Sequence, residues 1–284
     1  MHEWQQLGPQ RERDVLVPRS NLLKTMVEEF IDPYDIVTFV LIGDNGIAEM
    51  GRGVGVTCEI LSLFWREFSI SLAIGAAEKV PSIRHDYQKN HWISIARIMV
   101  FGYRQAKYSP IFLSKAFVIS SLFGEQAVTK ECLFDSFKAY ISKDEQEIVR
   151  KCLDGQIDAT DDDVLEMLSS YKCYRLPTHE NINVIVEELA HQELIQKPKY
   201  MATAWSDVLQ ALKCFPEFFD ASSLYTMYEE KNPTSKRVIK LLHAEPSSEA
   251  ERMCLDHLKR FIKSLSDNKL AGFLQFVTGS NVIT

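Results

Sequence analysis

The clearest regular pattern of apolar positions lies between residues 57 and 72. Ile60, Leu61, Phe64, Trp65, Phe68 and Leu72 recur at helical spacing, while Glu59, Ser62, Arg66 and Ser69 occupy the other side. That alternation predicts a helix with one buried face and one wet face. A second stripe, Trp92, Ile95, Ala96, Met99 and Tyr103, predicts another helix beginning near residue 90. Shorter helices are expected over residues 21–30, with Ser20 or Asn21 as cap and Asp32-Pro33 as stop, and over 133–140, 143–153 and 163–168. Beyond these, Thr178 can cap a helix carrying Ile182, Ile185, Val186 and Leu189 on one face. Further helices are expected over 200–212 and 223–228. The last begins at Ser248, where Ser248-x-x-Glu251 forms a capping box ahead of Leu255, Leu258, Ile262 and Leu265.

Three short apolar runs read differently. The run Ile36-Val-Thr-Phe-Val-Leu-Ile42, closed by Gly43-Asp-Asn-Gly46, predicts a buried strand entering a turn. Val238-Ile-Lys-Leu-Leu242 and Phe273-Leu-Gln-Phe-Val277 read as two more strands, with the Ser248 helix between them. Residues 1–14 are polar with a Gly8-Pro9 breaker and read as a loose lead-in. The expected class is α+β: a mostly helical body with short strands, then a small α/β portion.

Composition narrows what such a chain does. Its 284 residues are 46% apolar, enough for a real core in one large or two modest domains. A net charge of −7 argues against a nucleic-acid partner, since phosphate contacts need clustered Lys and Arg. No apolar run approaches the ~18 residues of a membrane span, and the start lacks a signal-peptide pattern. Six cysteines, Cys58, Cys132, Cys152, Cys173, Cys214 and Cys254, show no framework spacing, so reduced thiols of the cytoplasm or nucleus are expected.

Several patterns invite chemistry and fail on detail. Gly51-x-Gly53-x-Gly55 precedes a helix but is neither GxGxxG nor followed by Gly-Lys-Ser/Thr, so a tight turn is expected there rather than a phosphate site. The run from Asp158 to Asp163 lacks the central glycine and terminal bidentate acid of a calcium loop, and helix capping accounts for it better. Cys254-x-x-His257 offers two ligands on one helical face without a second pair, so no metal site and no cofactor are expected. Cys214, among aromatics, and Cys254, beside an apolar stripe, read as packing residues. No Gly-x-Ser-x-Gly occurs, and none of the histidines sits in a nucleophile motif.

The order of several segments resembles the HECT-type ubiquitin-protein ligase domain. Phe273-Leu-Gln-Phe-Val-Thr-Gly-Ser280 is similar to a segment of that family's C-terminal lobe a few dozen residues before its catalytic cysteine. The stretch from Phe39 to Ile60 resembles the opening of its N-terminal lobe, with two departures: Ala48 replaces an acidic residue, and Cys58 stands in an arginine position before Glu59. The helix at 90–102, Ser109-Pro110 through Phe117, and Leu176-Pro-Thr-His-Glu-Asn181 are similar to further family segments in the same order. The resemblance implies an N-lobe over 15–228, containing a conjugating-enzyme-binding subdomain at about 125–180 with a strand insertion compressed into 167–174. A hinge at 229–234 and a partial C-lobe over 235–284 follow. It implies ubiquitin transfer to substrate lysines, with a ubiquitin-conjugating enzyme, ubiquitin and a protein substrate as partners. The thioester-forming cysteine would lie beyond Thr284, so no residue here is expected to be catalytic, and the chain alone is expected to be inactive. The competing expectation is a non-catalytic HECT-like module that holds a conjugating enzyme or a substrate.

Within that frame Phe134, Phe137, Tyr140, Tyr171 and Tyr174 are the expected partner-binding anchors, because aromatics dominate interface energetics. The same residues are equally good core residues. Glu229, Glu230, Lys231, Asn232, Pro233 and Thr234 form the expected hinge, polar and broken by a proline. A rival reading runs one helix through Leu224 to Lys231, since Glu and Lys are good helix formers.

Overall fold

The computed structural model describes residues 12–32 and 36–284. The fold is mostly helical, with a few short strands. The expected lead-in over 1–14 therefore falls mostly outside the described residues, as does the Pro33 stop.

The N-terminal part begins with β1 (Glu12–Pro18), α1 (Leu22–Glu29) and β2 (Ile36–Ile42). β1 and β2 pair in parallel, Glu12 opposite Ile36 through Pro18 opposite Ile42, with α1 as the crossover. Residues 12–14, expected in the lead-in, are thus strand: Val15 and Val17 face the core while Leu16 faces water. The turn after β2 forms as expected, Gly46 N–H donating to Gly43 O at 2.9 Å with Gly46 at φ +75°. The glycine-rich stretch leads directly into α2 (Val54–Ser71), whose stripe Ile60, Leu61, Phe64, Trp65 and Phe68, with Leu72 just after it, is at most 1% exposed.

β3 (Ala73–Ile74) and β4 (Val80–Pro81) make a minimal antiparallel pair. Gly75 between them sits at φ +123°, and a Cβ there would lie 2.3 Å from Glu78 O, so only glycine fits. Then come α3 (Lys89–Ala106), α4 (Lys115–Phe123), α5 (Lys130–Tyr140), α6 (Lys143–Leu153), α7 (Asp162–Ser170), α8 (Ile182–His191) and α9 (Lys199–Leu209). A π-helical turn, Gln192–Gln196, separates α8 from α9. The chain ends with α10 (Ala221–Lys231), α11 (Ser235–Lys240), α12 (Glu249–Ser264) and α13 (Asp267–Thr278).

Two expected strands are helices. Val238 lies in α11, where Thr234 caps the turn by accepting from Arg237 N–H at 3.3 Å. Phe273 and Val277 lie in α13, which has Asp267 in its first turn and ends at Gly279 in the left-handed region. Residues 235–284 therefore contain no strand, and the small α/β portion is all-helical. Nor is there a strand within 167–174: α7 runs to Ser170 and a turn follows.

The described chain divides into two compact units. One holds the residues up to Glu67, Ser94–Ile111 and Tyr225–Thr284. Its core includes Phe30, Phe39 and Phe101, packed edge to face at 5.2 and 5.6 Å. The other holds Phe68–Ile93 and Phe112–Leu224. Here Trp205 is fully buried, with Phe117 at 5.3 Å and Phe68 at 6.5 Å. α4 packs against α5 and α9, and α5 against α8.

Candidate partner-binding surface

The surface expected to receive a partner is built by α5, α6 and α7. Each starts where a side chain satisfies the open backbone N–H groups of its first turn. Thr129 accepts from Cys132 N–H at 3.2 Å, and Asp161 accepts from Asp163 N–H at 3.1 Å. Ser142 and Glu145 form a reciprocal capping box. The aspartate-rich run is thus helix cap and loop, and among the described residues no group of three or more His, Cys, Asp or Glu is placed to hold a metal.

The five aromatic candidates separate by burial. Phe137 and Tyr140 are buried at 1% and 6% exposure, and their rings stack at 6.3 Å. Tyr171, partly buried, meets Phe137 edge-on at 6.1 Å. Phe134 is also partly buried. Tyr174 is 83% exposed, and Leu176 just after it is 67% exposed. One aromatic, Tyr174, is thus presented to solvent on the α7–α8 connection, while Phe137, Tyr140 and Tyr171 form a cluster.

Sequence reasoning missed the polar anchor of that cluster. Glu193, on the π-helical turn, is 1% exposed and accepts from Tyr140 Oη at 3.1 Å and from Lys197 Nζ at 2.5 Å. Burial pushes the Tyr140 phenol up, and the Glu193 carboxylate pushes it further, so Tyr140 stays a neutral donor. Burial likewise raises the Tyr171 phenol. A glutamate four residues before a lysine reads in sequence as a solvated helical pair, which hides this role.

Beside Leu133 the surface sinks into a shallow depression of about 470 Å³, lined by Glu125, Gln126, Val128, Leu133, His191 and Ile195. His191 Nε2 lies 2.7 Å from Glu125 Oε1, and Lys199 Nζ lies 3.6 Å from the other oxygen. The hydrogen bond from His191 holds the Glu125 carboxyl below its usual range. Lys130 and Glu187 pair nearby at 3.0 Å. An open depression with charged edges and an exposed Tyr-Leu pair elsewhere on the unit suits protein contact better than enclosure of a small substrate.

Burial pushes the Cys58 and Cys152 thiols up, the opposite of what a thiolate attack needs. Cys214 and Cys254, expected to be packing residues, are instead exposed. For Cys254 the reason is that α12 buries only Ile262 fully, leaving most of its surface wet. Of the expected hinge, Glu229, Glu230 and Lys231 form the last turn of α10, so the polar run is helical to residue 231. Asn232 and Pro233 make the break, and Thr234 caps α11. Arg237 spans the break, donating to Glu229 O and to Asn232 O.

In the unit that holds the N-terminal residues, Glu59 has a cation partner although the residue before it is Cys58. Arg19 reaches Glu59 at 2.8 Å and grips Glu49 with two bonds at 2.6 and 3.0 Å. No protein-family model matches the chain, and no curated protein matches it.

Proposed function

We propose that the chain is a HECT-type ubiquitin-protein transferase module that receives a ubiquitin-conjugating enzyme on the α5–α7 surface. In this reading none of the six cysteines of the chain is the thioester-forming residue, and the transfer step runs to lysines of a protein substrate. The observation that carries this reading is the ordered series of resembling segments, from Phe39–Ile60 through residues 90–102, 109–117 and 176–181 to 273–280. A mostly helical body supports it, as do the exposed Tyr174 and Leu176. Ubiquitin transfer of this class needs an exposed thiolate, and Cys58 and Cys152 have the opposite environment. In this reading the chain by itself is a docking module, without metal or organic cofactor, in the cytoplasm or nucleus.

The competing reading is a non-catalytic HECT-like binding module that holds a conjugating enzyme or a substrate. The competing module holds either a conjugating enzyme or a substrate, so one experiment tests the transferase reading and the first form of its competitor. A panel of charged and uncharged conjugating enzymes is titrated against the chain, and the expected result is micromolar binding that Tyr174→Ala weakens. Absence of binding across the panel refutes the transferase reading and leaves only a module that holds a substrate. A reducible ubiquitin adduct on this chain, lost in one Cys→Ser variant, refutes the assignment of the nucleophile to another segment.

A further inference from the structure

The π-helical turn between α8 and α9 holds a charge that water does not reach. The Glu193 side chain is 2% exposed, and among the described residues each of its oxygens has one partner. Oε2 accepts from Tyr140 Oη at 3.1 Å, and Oε1 meets Lys197 Nζ at 2.5 Å. Lys197 N–H also closes the turn, donating to Gln192 O at 2.9 Å. Tyr140 in its place is fixed from two further sides. Phe137 stacks on its ring, and the β3–β4 turn lies against it: Ala76 N–H donates to Tyr140 O at 2.8 Å, and a Cβ on Gly75 would lie 2.7 Å from the Tyr140 ring. A carboxylate so enclosed keeps its charge at low cost only while a cation answers it.

That cation is within reach of solvent. The Lys197 side chain is 45% exposed, so its amine can be approached from outside while its partner cannot. The other lysine–carboxylate pairs described differ. Lys24, Lys130, Lys138, Lys151 and Lys199 pair with carboxylates that are themselves 33% to 65% exposed. Neutralising any of those amines costs little, because water takes over the carboxylate. Lys115 does answer a buried carboxylate, Glu78, but is itself only 23% exposed. Neutralising Lys197 leaves the Glu193 carboxylate with the Tyr140 hydroxyl alone.

We propose that Lys197 is an acylation site: transfer of an acyl group to Nζ removes the cation, strands the Glu193 carboxylate and loosens the π-helical turn together with Tyr140. The donor is an acyl thioester. The ammonium gives one proton to solvent, the amine bonds to the acyl carbon as its C–S bond breaks, and a second proton leaves with the thiol. The charge of one surface side chain is thereby read in the aromatic cluster of α5. The effect runs through this ion pair whichever partner the surface receives.

The folded full chain is incubated with acetyl-coenzyme A and a broad-specificity lysine acetyltransferase, and peptide mass spectrometry is expected to find acetyl on Lys197. Acetyl-lysine is then encoded at 197, and at 151 as a control whose partner Glu147 is exposed. Hydrogen exchange of the amides at 137–140 and 193–195 is expected to be roughly tenfold faster or more with acetyl-Lys197, and unchanged with acetyl-Lys151. Glu193→Gln removes the stranded charge while keeping an oxygen for Tyr140, so in the acetyl-Lys197 chain it should return exchange to near the parent rate. Lys197→Arg keeps the cation and should exchange like the parent. No acetyl on Lys197, equal acceleration by the two acetyl-lysines, equal acceleration by Lys197→Arg, or no recovery with Glu193→Gln overturns the proposal. Should the encoded chain not fold, the enzymatically acetylated chain, modified after folding, gives the same exchange readout.

Discussion

Replacing Phe137 separates a core role from a binding role for the aromatic cluster. Its side chain is 1% exposed and touches the Tyr140 and Tyr171 rings at 6.3 and 6.1 Å. Truncation to alanine removes buried apolar area and leaves a void beneath two rings that are fixed in place, Tyr140 by its bond to Glu193. A Phe→Ala change at such a site costs about 3–5 kcal/mol. That is a large share of the roughly 5–15 kcal/mol that holds a domain folded. At about 2–4 °C per kcal/mol for a body of this size, the thermal midpoint drops by about 6–20 °C. Tyr174→Ala provides the contrast: with 83% of the residue in water, its effect on stability stays within about 0.5 kcal/mol. If the proposed surface receives a conjugating enzyme, Tyr174→Ala weakens that binding by about 1 kcal/mol or more, or fivefold. The assay is thermal unfolding of both variants by circular dichroism and tryptophan emission, alongside binding titrations at a temperature where both are folded. A Phe137→Ala midpoint equal to that of the parent chain refutes the core assignment. An equal loss of stability in Tyr174→Ala refutes the division of the cluster into core and surface members.

Two further outcomes are expected. Hydrogen bonding from Arg19 holds the Glu49 carboxyl below its usual range, so the pair stabilises the fold above the unfolded carboxylate value of about 4.3 and loses that contribution as pH falls through the lowered folded value. Arg19→Met should flatten the acid limb of stability measured by urea unfolding between about pH 4.5 and 3, modestly because both side chains stay about a third exposed; an unchanged limb contradicts this. Limited digestion with proteinase K should cut the exposed, irregular stretch 242–247 before residues 229–231, whose backbone is helical; earlier cleavage at 229–231 would mean that this turn of α10 is not held.

Long periodic segments were legible from the chain alone. The α2 and α3 stripes each carry five or six large apolar residues at helical spacing, and no other conformation buries them all on one side. Capping signals were legible too, because Ser142-x-x-Glu145 and Ser248-x-x-Glu251 act within four residues of themselves. Of the candidate surface, its helices could be read but not its face. Phe137 and Tyr174 are both aromatics beside polar residues, and only the packing of α5 beneath Tyr171 and beside Glu193 decides that one is core and the other is surface.

Tertiary structure alone decided the short apolar runs. Val238-Ile-Lys-Leu-Leu242 and Phe273-Leu-Gln-Phe-Val277 are too brief for periodicity to separate strand from helix. They are helices because Val238 and Leu270 find a common core with Ile262, which a period of two would not bring together. Conversely, Arg13-Asp-Val-Leu-Val17 is a strand because β2, more than twenty residues away, supplies its hydrogen-bond partners. The same non-local logic sets the glycine at 279: the chain itself shows a helix terminator, and the folded unit adds the Gly55 carbonyl that leaves no room for a side chain. Information that acts within a helical turn is written in the sequence; information carried by a partner far along the chain emerges only when the two meet.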